Sequence, residues 1–229
     1  MINFNYKFDW TSNDSWALPD GEEMGKVLFE KVDSMVGQGS ILTKNKGVCI
    51  QAGGFFGLWP IRYAQDFEWV ITFEPMEESY ACLMENIRRC GADNIIAINA
   101  ALGYEMGTVN MQHAVRNISW GNSHVLEQGN DLSFHTNEVT EDIMIMAIDE
   151  FPNQQKRIDH IALDVEAHEL LALRGAEITI NQWHPTIVIE ERLLAHTKNL
   201  TEARDWLIEK GYELAGQIEV DLYFVWKGK

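Results

Sequence analysis

Short apolar runs recur along the chain, separated by stretches with apolar residues at helical spacing. Val48-Cys49-Ile50 leading into Gln51, Trp69-Val70-Ile71-Thr72-Phe73, Ile95-Ile96-Ala97-Ile98, residues 158–163 and residues 186–189 are continuous rather than alternating. That is the pattern of strands buried on both faces. Between the first three lie predicted helices at 58–66 and 76–90, the second opened by Pro75 and stopped by Gly91. Upstream, Asp20-Gly21-Glu22-Glu23 opens a helix carrying Met24, Val27, Leu28 and Val32 on one stripe, ended near Val36 by Gly37 and Gly39. Downstream, helices are predicted at 166–180 and 200–210, and two closing strands near 212–218 and 222–226 are joined by a short acidic turn. The alternation predicts a doubly wound, Rossmann-like α/β fold, a mostly parallel seven-stranded sheet with a C-terminal antiparallel hairpin.

The βα rhythm breaks from Gly103 to Val139, where glycine and asparagine surround short β-like pieces such as 108–111, before an apolar strand at 142–148. The expected organisation is an N-terminal arm and helix over 1–40, then one domain over 41–229 with a β-rich insertion at about 104–148. That insertion is expected to form hairpins over the mouth of the ligand crevice. Trp10 and Trp16 lie in an arm of no clear period, which points to packing on this subunit or on a neighbour and hints at a homodimer.

Composition narrows the class. A chain of 229 residues can bury a full core, and no apolar run reaches the length of about 18 residues that spans a bilayer. The first residues lack the basic-then-apolar pattern of a signal peptide. Cys49, Cys82 and Cys90 are odd in number and show no metal-ligand spacing, so a reducing, cytoplasmic setting is expected. A net charge of −17 repels a phosphate backbone, which argues against a nucleic-acid partner. It suits solubility, or attraction of a cationic ligand.

Ligands of open α/β sheets bind beyond the carboxyl ends of the strands, so the residues there are the candidates. The first strand leads to Gln51, Gly53 and Gly54, whose glycines are expected to let backbone N–H groups approach a ligand. The second ends in Glu74-Pro75, placing an acid 20 residues after Gly54 where ribose hydroxyls could be accepted. The third ends in Asn99 and Ala100, and later ends carry Asp164, Glu166 and His168, then Glu190 and Glu191. Gly53-Gly54-x-x-Gly57 is not the Gly-x-Gly-x-x-Gly of dinucleotide enzymes, which disfavours a nicotinamide-dependent oxidoreductase, and no Gly-Lys-Ser/Thr phosphate loop exists.

These residues belong to a longer ordered set: Gln51 to Gly57, Phe73-Glu74-Pro75, Leu83-Met84-Glu85-Asn86-Ile87 and Ala101-Leu102-Gly103. Ile148-Asp149-Glu150-Phe151, Ile158-Asp159, Leu163-Asp164-Val165-Glu166-Ala167-His168-Glu169, Leu173-Arg174-Gly175-Ala176 and Pro185 to Glu190 follow. Over residues 47–191 the chain resembles the FkbM-type S-adenosylmethionine-dependent methyltransferases. The resemblance implies a class I methyltransferase fold and S-adenosylmethionine as cofactor. It puts the methionine part near Gln51, Gly53, Gly54 and Phe55, ribose on Glu74 beside Pro75, and adenine near Asn99 and Ala100, with Asp164 counted among the cofactor residues. It implies methyl transfer to an oxygen of a sugar or other hydroxylated small molecule. The chain departs from the family pattern at Gln51 (an acid there), Phe55 (asparagine), Ala167 (glycine) and Leu163 (lysine or similar). Those departures leave open a non-catalytic relative that binds a ligand or partner.

Methylating a hydroxyl requires alignment with the S–CH₃ bond and removal of a proton as the new bond forms. Asp164, Glu166, His168 and Glu190 are the candidate catalytic residues, His168 because a carboxylate neighbour could tune it. A second mechanism has a divalent metal on Asp164, Glu190 and Glu191 lowering the acceptor's pKa. Phe55, Trp59 and Trp120 are candidates to wall the acceptor pocket.

Overall fold

A long helix, Glu22–Leu42 (α1), leads into Val48–Ala52 (β1), Leu58–Tyr63 (α2), Trp69–Phe73 (β2), Glu77–Cys90 (α3) and Ile95–Ile98 (β3). The computed structural model describes residues 22–114, 124–125, 138–151, 156–191 and 201–228. The tryptophan-bearing arm and Trp120 lie outside them. The insertion supplies Ala101–Leu102 (β4), Gly107–Ala114 (β5), His124–Val125 (β6) and Glu138–Met146 (β7), then one 3-10 turn at Ile148–Glu150. Ile158–Leu163 (β8), Glu169–Arg174 (α4), Glu177–Trp183 (α5), Thr186–Glu190 (β9), Glu202–Glu209 (α6), Tyr212–Ile218 (β10) and Asp221–Trp226 (β11) complete the chain.

Seven strands form one sheet in the order β10-β11-β9-β8-β1-β2-β3. β8, β9, β2 and β3 run parallel with β1, while β11 runs antiparallel between β9 and β10. Alternate strand residues feed two apolar layers. Val48, Ile50 and Ala52 pack with Leu173, Ile180 and Leu207 of α4, α5 and α6 on one face. Cys49, Val70 and Val188 pack with Val32, Leu58 and Cys82 of α1, α2 and α3 on the other. Each fully buried aliphatic side chain contributes about 1.5–3 kcal/mol. Among the described residues, no helix is long and apolar enough to cross a membrane.

α2 stops at Tyr63, short of the expected 66, and two further helices differ more. Gly37 and Gly39 do not end α1, which runs on to Leu42. A Cβ on Gly39 would lie 2.9 Å from the His160 ring, so this glycine lets the helix approach β8. There His160 is fully buried, with one ring nitrogen 3.0 Å from Thr43 Oγ1 and the other 3.3 Å from the Tyr63 hydroxyl. Burial holds it down at about 3, with the nearby Lys46 charge adding to the effect. The helix expected over 166–180 is two short ones, broken at Gly175, where any side chain would meet the Gly103 carbonyl 2.0 Å away. Asp149 then caps α5, accepting from the N–H groups of Ile178 (2.7 Å) and Thr179 (2.9 Å).

The insertion forms its own four-stranded sheet, β4-β7-β5-β6, with Met111, Ile143 and Ile145 buried beneath it. Its long strand begins and ends earlier than expected, at Glu138–Met146, and Met144 on the opposite face is 57% exposed.

Candidate functional site

The parallel register sets Gln51 of β1 beside Thr72 of β2, near the carboxyl ends of both strands. Gln51 is 2% exposed. Its Oε1 accepts from Thr72 Oγ1 at 2.5 Å, and its Nε2 donates to the carbonyls of Ala52 (3.0 Å) and Gly53 (2.9 Å). This side chain therefore shapes the glycine turn from beneath. Gly53 stands at φ +84°, and a Cβ there would lie 2.1 Å from the Asp164 carbonyl, so only glycine fits. Gly53 and Gly54 both donate their N–H groups to the Phe73 carbonyl, at 3.1 and 2.9 Å. The expectation that these N–H groups face a ligand is corrected: they tie the turn to β2, and a Cβ on Gly54 would meet Thr72 Oγ1 at 2.8 Å, so both glycines serve close packing of the turn.

Glu74 follows β2, 6% exposed. Its Oε2 accepts from Phe55 N–H at 2.8 Å and its Oε1 from Met76 N–H at 3.0 Å, so both oxygens are fixed in direction. Burial pushes the carboxyl up to about 7 against the lowering effect of those two bonds. A diol donating two further hydrogen bonds would favour the charged form. Phe55 reaches Glu74 from the left-handed region, φ +46°, where a bulky residue is strained and asparagine is at ease. Asn99 Nδ2 donates to the carbonyls of Glu74 and Pro75, both at 2.9 Å, tying the end of β3 to the loop after β2. Ala100 is fully buried in the core behind Asn99.

Beyond β8 the chain turns sharply. Glu166 and Ala167 have φ of +50° and +71°, consecutive left-handed residues without a glycine. Such positions cost roughly 1–3 kcal/mol each and cluster at functional sites. Glu169, 5% exposed, braces the turn by accepting from Val165 N–H at 3.2 Å. Burial pushes its carboxyl up to about 7, and the Glu190 charge adds to that. His168 is also buried, and a Cβ on Gly103 of the insertion would sit 3.4 Å from its Nε2. This contact brings the insertion against the 164–168 turn.

Carboxylate oxygens of Asp164, Glu166 and Glu190 lie within 4.8 Å of one another. Glu191 does not join them: its Oε2 accepts from Arg204 Nη1 at 3.2 Å, because successive residues at a strand end face opposite ways. The proposed metal trio is corrected accordingly, and an acid cluster by itself identifies no ion. The cluster can accept a proton from a hydroxyl beside it. Phe55 and Trp59 pack against the apolar layer under α1 and α2.

Two contributors were missed in the sequence. Thr72 is signalled by the in-register pairing of the first two strands, which places it beside Gln51. Glu169 is signalled by its place in the first turn of a helix directly after a strand-end acid.

Sheet order and site together define a class I, Rossmann-like methyltransferase fold. The model of the FkbM methyltransferase domain matches residues 54–214, and the chain belongs to that family. Nothing matches among the curated proteins. A methyltransferase FkbM from Methylobacillus flagellatus KT is similar in structure at 16% identity and a TM-score of 0.56, over 89% of this chain and 54% of that one. The chain thus spans about half the length of that protein. The magnesium protoporphyrin IX methyltransferase of Synechocystis PCC 6803, solved with bound S-adenosylmethionine, is similar at 13% identity and a TM-score of 0.51, over 97% and 88%. A precorrin-6y C5,15-methyltransferase from Geobacter metallireducens GS-15 gives 13%, 0.50, 100% and 99%.

Proposed function

We propose that the chain is an S-adenosylmethionine-dependent methyltransferase acting on an oxygen of a sugar or other hydroxylated small molecule. The observation that carries this is Glu74, a buried carboxylate aimed by two backbone N–H groups at the end of β2. The residues fit the cofactor: Glu74 can accept from the ribose hydroxyls, and Asn99 stands at the adenine side. When bound, S-adenosylmethionine supplies an electrophilic methyl group. Asp164, with Glu166 and Glu190 beside it, takes the proton from the acceptor hydroxyl. His168 and Glu169 hold the turn that presents those acids. The net charge of −17 favours a small neutral or cationic acceptor over a phosphate-rich polymer. We place the protein in the cytoplasm.

Calorimetric titration with S-adenosylmethionine and S-adenosylhomocysteine, with NAD as control, tests the cofactor. Micromolar binding of the first two alone is expected, lost in Glu74→Ala with the fold retained. Unchanged affinity in that variant would sink the ribose assignment. The neutral Gln51, closed within the turn, favours a second reading, a non-catalytic ligand-binding relative. Absence of binding to either sulfur compound would select it.

A further inference from the structure

At the opposite end of the same sheet, the α4–α6 face is incompletely covered. Among the described residues, Ile148 of the 3-10 turn, Phe151, and Thr179 and Trp183 of α5 stand over the starts of the central strands. The result is a groove of about 130 Å³ whose walls include Val48, Ile50, Trp69, Ile71, Ile96 and Trp183. Trp69 and Ile96 are 38% and 43% exposed, high for apolar residues on a sheet. Three of the strand residues lie at or near strand starts, away from Glu74 and Asp164, so this place is distinct from the proposed active site.

Volume and chemistry select an occupant. An engineered apolar cavity of about 150 Å³ stays dry and binds benzene, so this groove is of a size to take one six-membered ring. Among the described residues the lining holds one cation, Lys156, an exposed residue whose Nζ stands 5.1 Å from the centre of the Trp69 ring. The Lys156 ammonium at the apolar mouth supplies the local positive charge that complements an anion. We propose that the groove is a binding site for a small aromatic carboxylate, its ring between the isoleucines and the tryptophans and its carboxylate paired with Lys156.

The test uses the full chain without cofactor, so its outcome is separate from the methyltransferase reading. Phenylacetate and its neutral counterpart benzyl alcohol are titrated by calorimetry. Phenylacetate should bind with a Kd below about 1 mM and roughly fivefold or more tighter than benzyl alcohol. Lys156→Gln, on the surface, should bring phenylacetate to the level of benzyl alcohol and leave the alcohol unchanged. Ile96→Trp, filling the groove from the partly exposed edge strand, should weaken both by about tenfold or more. No binding of phenylacetate at about 10 mM, or affinity untouched by Lys156→Gln, overturns the proposal. So does a dimer in sedimentation equilibrium that Ile96→Trp dissociates, because the groove would then belong to a second copy of the chain. Should Ile96→Trp fail to fold, Lys156→Gln decides alone.

Discussion

Acidification should weaken S-adenosylmethionine binding through Glu74, and the size of the effect follows from its surroundings. In the free chain burial holds this carboxyl at about 7, against an ordinary value of 4.5. On the proposed ribose assignment the hydroxyls donate to Glu74, which favours the ionised form and returns the group to its ordinary range or below. Each pH unit below 7 then costs about a factor of ten, making affinity at pH 5 roughly a hundredfold weaker than at pH 8, or about 2.7 kcal/mol. Without ligand the dependence is reversed. A folded-state value raised from 4.5 to about 7 gives stability that is full below pH 4.5 and lost as pH rises through 7, in total about 3 kcal/mol. Calorimetry across this range, in two buffers of unlike ionisation enthalpy, should show release of about one proton near pH 5.5 and about half a proton at pH 7. Glu74→Gln should bind weakly with neither the slope nor the release. A flat profile, or an identical slope in that variant, would refute the reasoning.

His160 is held at about 3 by burial, below its ordinary 6.5, so the neutral ring is the folded form. Its stabilisation is full above pH 6.5 and is lost on acidification toward 3, by up to about 1.4 kcal/mol per unit; denaturant melts of wild type and His160→Gln should converge along that line. Gly37→Ala should raise stability by about 1 kcal/mol, since nothing lies within 4 Å of the added methyl. Gly39→Ala in the same helix should lower it by roughly 1–3 kcal/mol, because that methyl meets His160. Asp149→Ala should cost about 1–2 kcal/mol of stability through loss of the α5 cap, read as a lower thermal midpoint.

The parallel strands were legible because each is a continuous apolar run, and burial on both faces leaves that mark in the residues themselves. β2, β3 and β8 match their expected bounds for this reason. What a residue meets across the fold left no local mark. Gly39 reads as a helix stop until β8 is seen against it, and Gly175 reads as tolerated until the Gly103 carbonyl is placed. The strand-end acids of the site were visible from topology alone. That Gln51 turns inward to Thr72, and that Glu191 goes to Arg204 while Glu166 joins Asp164, depends on which way side chains point once the sheet is assembled.

β1 has one neighbour close in the chain and one far away. β2 can pair with β1 early, but the β8 side arrives late: Gly47 N–H meets Asp159 Oδ2 across 112 residues. Contacts of such separation form slowly, and a growing chain must expose the unpaired flank of β1 until β8 emerges from the ribosome. The glycine turn is closed by the residue directly after β8, Asp164, so a truncated chain carrying β1, β2 and β3 would hold Glu74 without a finished cradle. Ligand competence should therefore appear in a single late step of synthesis, after residue 164, rather than accumulate as the strands are made.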